Sequence, residues 1–302
     1  MWFFLISKEN FRLTPDSHRR SAFPPTSEQP RCYHCLNGGQ TMEFGLKGKT
    51  ALVLGGSGGL GRAIALALAA EGAKIAVAGT KPAAIQETQT VVAALAGKSI
   101  GLAWDLADLS VIDANVSSIE SQLGPVDILI NNTGGPPPTT AAGQDPALWL
   151  KQFQSMVLSV IAVTDRVLPS MRQRHWGRII TSTSSGVVAP IPNLAISNAL
   201  RLSLVGWSKT LSREVGKDGI TANIILPGRI ATDRLRFLDE SRARRDGRTV
   251  EEVAQESAAT IPIGRYGKPE EYGAVVAFLA SESAAYITGS VIRVDGGMIP
   301  SV

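Results

Sequence analysis

From residue 49 onward the chain alternates short apolar runs with longer segments whose apolar positions follow a helical period. The short runs are typical of strands buried on both faces, and the longer segments follow clusters of Gly, Pro, Asp or Asn that favour helix starts. The predicted strands cover residues 51–54, 75–78, 100–104, 128–130, 179–181, 222–226 and 291–294. The predicted helices cover residues 60–70, 83–95, 109–123, 148–171 and 194–215.

Repeated strand–helix–strand units imply parallel strands joined by helical crossovers, with helices on both faces of the sheet. We therefore predict an α/β fold, a single doubly wound domain of Rossmann type with a seven-stranded parallel sheet. Residues 42–302 contain no linker, repeat or low-complexity tract, which favours one domain over that range.

The composition is that of a globular protein, with 302 residues of which 44% are hydrophobic and 19% charged. The net charge of +4 is too small and too dispersed to indicate nucleic-acid binding. No run approaches 18 uninterrupted apolar residues, so we expect no membrane-spanning helix and a cytoplasmic protein.

Residues 1–41 differ from the rest because they carry four prolines, scattered charges and no sustained period. We expect a disordered extension, or a misassigned start with translation beginning at Met42. Both cysteines of the chain, Cys32 and Cys35, lie there. They are either half of a zinc site that needs further ligands, with His18 as the only other nearby histidine, or two unpaired thiols. We favour the thiols and expect no metal site.

A glycine-rich turn joins the first predicted strand to the first predicted helix. Glycine there permits positive φ and a close approach of the backbone to a pyrophosphate, which the free N–H groups of a helix N-terminus attract. A turn without ligand is the alternative, but the flanking strand and helix favour a dinucleotide. The predicted contacts are Gly55, Ser57, Gly58, Gly59, Leu60 and Gly61.

The second predicted strand ends at Gly79, Thr80 and Lys81, where an acid would bind the free 2′-hydroxyl of NAD. With no acid present, Thr80, Lys81 and Ser57 suit a 2′-phosphate. We predict NADP(H) rather than NAD(H), the alternative being that Lys81 is only solvated.

Further motifs appear in a fixed order along residues 47–297. They are Asp105 with Leu106, the Asn-Asn-Thr-Gly at 131–134, the Pro-Gly-Arg-Ile-Ala-Thr at 227–232, the Gly-Arg-Tyr-Gly at 264–267 and the Val-Asp-Gly-Gly at 294–297. The chain thereby resembles the short-chain dehydrogenases/reductases, most of all their 3-oxoacyl-acyl-carrier-protein reductase type. The resemblance implies further cofactor contacts at Asp105, Leu106, Asn132, Gly134, Pro227, Gly228, Ile230 and Thr232.

The catalytic positions implied by this resemblance are altered. That family uses a Ser, a Tyr four residues before a Lys, and an upstream Asn. Register places Ser184 at the Ser position, Ser197 at the Tyr position, Arg201 at the Lys position and Met156 at the Asn position. No tyrosine occurs between Tyr33 and Tyr266, so a shift in register does not restore one. We expect Tyr266, Tyr272 and Tyr286 to pack structurally, and His175 to lie on the surface away from the site.

The altered set retains some chemistry. Arg201 is permanently charged, can hold the cofactor ribose and lies one helical turn after Ser197. Ser197 can donate a hydrogen bond, but it is a far poorer acid than the phenol of tyrosine, and Ser184 would orient the substrate oxygen. We predict an NADP(H)-dependent oxidoreductase of a carbonyl/alcohol pair. The alternatives are a nucleotide-binding regulator without turnover, or a non-redox enzyme such as a dehydratase on the same fold.

The substrate side is rimmed by prolines and by residues 229–248, which correspond to a mobile lid in the resembling family. This segment holds seven arginines against four acids. They either recognise an anionic substrate or form a solvated amphipathic helix, and we favour the latter. We expect a small carbonyl or acyl substrate. The resemblance also implies a homodimer or homotetramer formed through the helices predicted at 148–171 and 194–215.

Overall fold

The computed structural model describes residues 44–96 and 98–302. The expected N-terminal extension, with Cys32 and Cys35, lies outside these residues. The strands are β1 Thr50–Val53, β2 Lys74–Gly79, β3 Ser99–Ala103, β4 Ile128–Asn131, β5 Gly177–Ser182, β6 Ile220–Pro227 and β7 Val291–Val294. The helices are α1 Gly59–Ala70, α2 Pro82–Ala96, α3 Ile112–Leu123, α4 Pro146–Phe153, α5 Ser159–Gln173, α6 Ala195–Val215, α7 Asp233–Asp246, α8 Val250–Ala259 and α9 Pro269–Ala280.

The seven strands form one parallel sheet in the order β3-β2-β1-β4-β5-β6-β7. The predicted doubly wound fold is confirmed. Strand order reverses direction between β1 and β4, where the crossovers pass to opposite faces of the sheet. At such a switch point the loops after the two strands diverge and leave a crevice at the carboxyl edge.

Apolar side chains cover both faces of the sheet. On one face α1 and α9 pack together, with Ile64 and Val276 in a core cluster that also contains the strand residues Val53 and Ile130. On the other face α3, α5 and α6 pack through a second cluster that includes Val163. Because both faces are covered, the central strands are apolar throughout rather than alternating.

The structure corrects several predicted boundaries. The helix predicted over 148–171 is broken by a π-helical turn at Gln154–Leu158, which separates α4 from α5. The helix predicted from residue 109 begins with a short 3-10 turn, Leu109–Val111. Helices α8 and α9 were not predicted, because no element was assigned between the lid segment and the last predicted strand.

The run of helix from Pro146 to Gln173 has 28 residues and a mean hydropathy of 1.3 over its most apolar stretch, enough in length and composition to cross a membrane. This segment contains no long uninterrupted apolar run, so the sequence criterion did not detect it. Scattered polar residues interrupt the segment, but its mean hydropathy stays high. Val163, Val167 and Met171 bury its inner face against the sheet. It is therefore a layer of the doubly wound fold, and its hydropathy has a structural cause.

Candidate active site

A cleft of about 1460 Å³ opens along the carboxyl edge of the sheet, at the switch point. Every residue predicted from the sequence to bind cofactor or to act in catalysis lines this cleft, except Gly61. The cleft also exceeds the usual range of roughly 300–1,000 Å³ for a single small ligand. Its size suits a dinucleotide together with a substrate.

The glycine turn forms one end of the cleft. Gly55 has φ +61° and Gly59 has φ +49°, conformations that disfavour any side chain. Gly58 is the N-cap of α1 and provides no side-chain cap, so the first N–H groups of the helix remain available to a ligand. A Cβ on Gly58 would meet no protein atom within 4 Å. The turn therefore leaves open space in front of a helix N-terminus, as an anion requires.

Gly61 has a different role from the one predicted. It is buried inside the first turn of α1, where a Cβ would overlap the carbonyl of Gly55. Asn132 also contacts the start of the turn, since its side-chain amide donates to the Leu54 carbonyl at 3.3 Å. Gly61 and Asn132 thus hold the turn against the end of β4.

The predicted ribose and adenine contacts lie next to the turn. Ser57, Thr80 and Lys81 line the cleft beyond the end of β2, and Thr80 and Lys81 are exposed. Asp105 lies beyond β3, and its Oδ1 accepts from the N–H of Ala107 at 2.9 Å. No carboxylate lies directly after β2, which leaves this corner cationic.

The segment after β6 forms the opposite wall. Gly228 packs so closely on Asp295 that a Cβ would overlap its backbone. Ile230 is buried and pairs with Gly267 through an isolated bridge. Thr232 caps α7, with its Oγ1 accepting from the N–H of Leu235 at 3.3 Å. These contacts fix the 227–232 loop beside the cleft.

The two serines of the altered catalytic set lie in the middle of the cleft. Ser184 follows β5, and its hydroxyl accepts from the N–H of Gly186 at 3.1 Å. Ser197 is only 7% exposed on the first turn of α6, and its hydroxyl makes no hydrogen bond to any residue that the structure describes. Met156 lies buried in the π turn and presents a thioether to the cleft. The Met156 side chain itself therefore offers no donor.

Arg201 is 8% exposed and spans the ends of two strands. Its Nη2 donates to the carbonyls of Thr133 at 3.3 Å and Gly134 at 2.9 Å, and its Nη1 donates to the carbonyl of Ser182 at 3.3 Å. Burial, followed by the positive charge of Arg234, lowers the pKa of Arg201 to about 10. Arg201 thus fixes the loop after β4 as well as facing the cleft, a role that sequence register does not indicate.

None of the described tyrosines replaces the missing phenol in the cleft. Tyr272 is buried on α9, with its hydroxyl 2.9 Å from that of Ser182, and burial raises its pKa. Tyr266 donates to Asp239 at 2.8 Å. Both fit the expected structural role, whereas the expectation is wrong for Tyr286, whose side chain is fully exposed beyond α9. His175 is exposed at the amino end of β5, as expected.

Five of the seven lid arginines form ion pairs, among them Arg236 with Asp233 on its own helix. Arg229, Arg242, Arg245 and Arg248 all form ion pairs with lid or α8 carboxylates, which agrees with the favoured prediction of a solvated helix. Arg234 differs, because it lines the cleft without an ion pair to any described carboxylate and donates to the carbonyl of Pro136 at 2.7 Å. No sequence signal separates it from the other six arginines. Sequence reasoning also missed Met298, Ile299 and Pro300, which line the cleft from the C-terminal segment.

Comparison with known proteins agrees with this geometry. A family described as Enoyl-(Acyl carrier protein) reductase matches residues 55–299. The 3-oxoacyl-(acyl-carrier-protein) reductase FabG of Escherichia coli (strain K12) is 38% identical over 255 residues, covering 83% of this chain and 98% of the relative. The D-beta-hydroxybutyrate dehydrogenase of Cupriavidus necator is 35% identical over 259 residues, covering 84% and 99%.

A solved structure gives the same result. The L-sorbose reductase of Gluconobacter frateurii, complexed with NADPH and L-sorbose, superposes with a TM-score of 0.82 at 33% identity, covering 86% of this chain and 100% of that one. The fold and the glycine-lined cleft define a dinucleotide-binding protein of Rossmann type. The chain belongs to the short-chain dehydrogenase/reductase family, and the three proteins named above are oxidoreductases.

Proposed function

We propose that this protein interconverts a carbonyl compound and its alcohol with NADP(H). In the reducing direction a carbonyl, NADPH and one proton give an alcohol and NADP⁺. The observation that carries this proposal is that the glycine turn and Ser184 open onto one continuous cleft. A cofactor lying along the cleft would therefore end beside the hydroxyl that can hold a substrate oxygen.

The residues present fit a bound dinucleotide. Open space faces Gly58 and Gly134, where a Cβ would meet no protein atom within 4 Å. The N–H groups of α1 would hold the pyrophosphate, while Ser57 and Lys81 would hold a 2′-phosphate. Ile230 and Thr232 would hold the nicotinamide amide. When bound, NADPH supplies the hydride.

The side chains of the site would act on the substrate oxygen. Ser184 donates its hydroxyl hydrogen to that oxygen while still accepting from the N–H of Gly186. Ser197, free of other bonds among the described residues, adds a second donor. The positive charge of Arg201 favours the negative charge that develops on the oxygen. Because serine is a weak acid, water delivers the final proton.

Substrate-dependent oxidation of NADPH, followed at 340 nm with a panel of carbonyl compounds, tests this function. We expect Ser184→Ala to lower the rate by about 10²–10³-fold, the usual effect of removing a donor to a developing oxyanion. NADPH affinity should stay unchanged, since the hydroxyl would contact substrate. Equal rates in the two proteins would exclude Ser184 from the chemistry.

The preference for NADP(H) has its own test. Lys81→Ala should weaken binding of NADPH but leave NADH binding unchanged, because only NADPH carries the 2′-phosphate. The matched control is Lys217→Ala, an exposed lysine before β6 at the opposite edge of the sheet. Tighter binding of NADH than NADPH by the unaltered protein would contradict the assignment.

A second candidate is a nucleotide-binding regulator without turnover. The residues at two predicted catalytic positions favour it. Ser197 and Arg201 line the cleft there, where the family pattern has a tyrosine and a lysine. Such a protein would bind NADPH in a calorimetric titration and show no change at 340 nm with any carbonyl in the panel.

We also propose self-association through α4, α5 and α6. Leu150 on α4 is 70% exposed and Leu202 on α6 is 53% exposed, with Phe153 and Leu158 nearby in the chain also partly exposed. Surfaces of this kind are typical of contacts between copies. A monomeric mass by light scattering would contradict this proposal.

A further inference from the structure

Two arginines in the cleft have no carboxylate partner within the described part of the chain. The other cleft arginines, Arg229, Arg242 and Arg245, are each paired with Asp239 or Asp246. Arg201 and Arg234 donate only to backbone carbonyls. Those bonds satisfy N–H groups, but they do not neutralise either charge.

Both guanidinium groups converge on one loop. Arg201 binds the carbonyl of Gly134 from α6, and Arg234 binds the carbonyl of Pro136 from the first turn of α7. Nη2 of Arg234 lies 3.1 Å from where a Cβ on Gly135 would stand. The loop after β4 therefore brings two cations together from opposite walls of the cleft.

This arrangement is electrostatically incomplete. Burial, followed by the positive charge of Arg234, lowers the pKa of Arg201, and desolvation lowers the pKa of Arg234. Arg201 is buried, whereas Arg234 is exposed to the cleft. A buried charge such as that of Arg201 is usually paired, because an unpaired charge loses its hydration without compensation. An anion between the two arginines would remove this penalty.

We infer that Arg234, with Arg201 behind it, binds the carboxylate of an anionic carbonyl substrate in the cleft that holds Ser184. A guanidinium binds a carboxylate through two parallel hydrogen bonds and so fixes its orientation. The carbonyl of an oxo acid would then lie beside Ser184. This inference rests on the proposed function, since it names the substrate class of that site.

The cofactor pyrophosphate is the competing anion. It already has a suitable place at the N-terminus of α1, where Gly58 leaves the first N–H groups uncapped. Arg234 instead donates to the carbonyl of Pro136 in the loop after β4. We therefore assign the pair to the substrate, and the experiment separates the two ligands.

The test is calorimetric titration of the NADP⁺-saturated protein with oxo acids and their methyl esters. Pyruvate, acetoacetate and phenylpyruvate are each compared with the corresponding ester, which keeps the carbonyl and removes the charge. We expect at least one acid to bind about 10- to 100-fold more tightly than its ester, as for a charge-assisted hydrogen bond. Binding of every acid no tighter than its ester would overturn the inference.

Variants assign the effect to Arg234. Arg234→Gln should remove most of the difference between acid and ester, and Arg234→Lys should restore part of it. Both should leave NADPH affinity unchanged. The matched control is Arg236→Gln, since Arg236 lies two residues further along α7 with a 72% exposed side chain. Weaker NADPH binding in Arg234→Gln, with acid binding unchanged, would reassign Arg234 to the cofactor and overturn the inference.

Failure of the proposed function would look different. If the preferred acid binds in an Arg234-dependent manner but causes no oxidation of NADPH, the inference holds and hydride transfer is wrong. If NADPH is oxidised equally well by an acid and its ester, and Arg234→Gln changes neither rate, hydride transfer holds and the anion site is wrong.

Discussion

At the glycine-turn end of the cleft, the groups that face a ligand are mainly backbone atoms. They come from the turn at 55–61 and from the uncapped N-terminus of α1. At the other end, the groups that face a substrate are side chains, namely Ser184, Ser197, Arg201 and Arg234. The sequence predicts that the first end keeps the family pattern almost unchanged and that the second has replaced most of it.

The difference follows from how each end works. A backbone cradle depends on glycine conformation and close packing, so substitutions at Gly55 or Gly61 damage the fold. Side chains that act on a substrate can be exchanged without disturbing the sheet, provided that they fit the same space. Binding of a nucleotide and catalysis are thus separable in this fold, and the following variants test that separation.

The largest effect is expected from restoring the family pair at the catalytic end. Ser197→Tyr combined with Arg201→Lys returns a phenol, and a lysine one helical turn later. A positioned acid contributes ~10²–10⁴-fold, so the rate of NADPH oxidation should rise by that order with a suitable carbonyl. The rate is measured at 340 nm with the same carbonyl panel as for the unaltered protein.

The single variants serve as controls. Arg201→Lys alone removes the guanidinium group that donates to the carbonyls of Ser182, Thr133 and Gly134. It should therefore lower thermal stability without raising the rate of NADPH oxidation. If the double variant binds NADPH normally and gains no activity, the catalytic end is no longer built for hydride transfer.

A smaller effect is expected at the glycine turn. In Gly61→Ala the new methyl group overlaps the Gly55 carbonyl, so the turn must move. We expect the free energy of unfolding to fall by about 1–3 kcal/mol, as for other overpacked sites. NADPH affinity should fall as well, because the turn is the cradle. Denaturant unfolding and calorimetry measure the two effects.

Gly58→Ala is the contrasting variant. Its methyl group meets no protein atom and its φ of −169° is open to any residue, so stability should change by less than about 0.5 kcal/mol. NADPH affinity should still fall, since the methyl group enters the space left for the pyrophosphate. Unchanged NADPH affinity would mean that the ligand does not pass in front of Gly58.

Much of the fold could be predicted from the sequence, because its signals are local. Buried parallel strands appear as short apolar runs, and clustered glycines indicate a turn that needs positive φ angles. Residues 100–104 were assigned to a strand that the structure places at 99–103, and β7 was predicted without error. The cleft positions followed from where these strands end.

The interactions within the site could not be predicted, because they join residues far apart in the chain. Sequence register puts Arg201 at a catalytic position but cannot show that its N–H groups are bound to the loop after β4. The same limit hid Arg234 among six other lid arginines, since only the fold decides which one faces the cleft. The π turn that carries Met156 has no periodic signature in a helical sequence.

The smallest expected effect concerns Tyr272, which links the two ends of the cleft. It belongs to α9, the helix that packs on α1, yet its hydroxyl contacts Ser182 at the end of β5. Tyr272→Phe removes this buried hydrogen bond and should lower the free energy of unfolding by about 1 kcal/mol. Adding Ser182→Ala should cost little more, because both partners are then apolar. Denaturant unfolding of the single and double variants measures this coupling, and costs that simply add would show that the two hydroxyls do not interact.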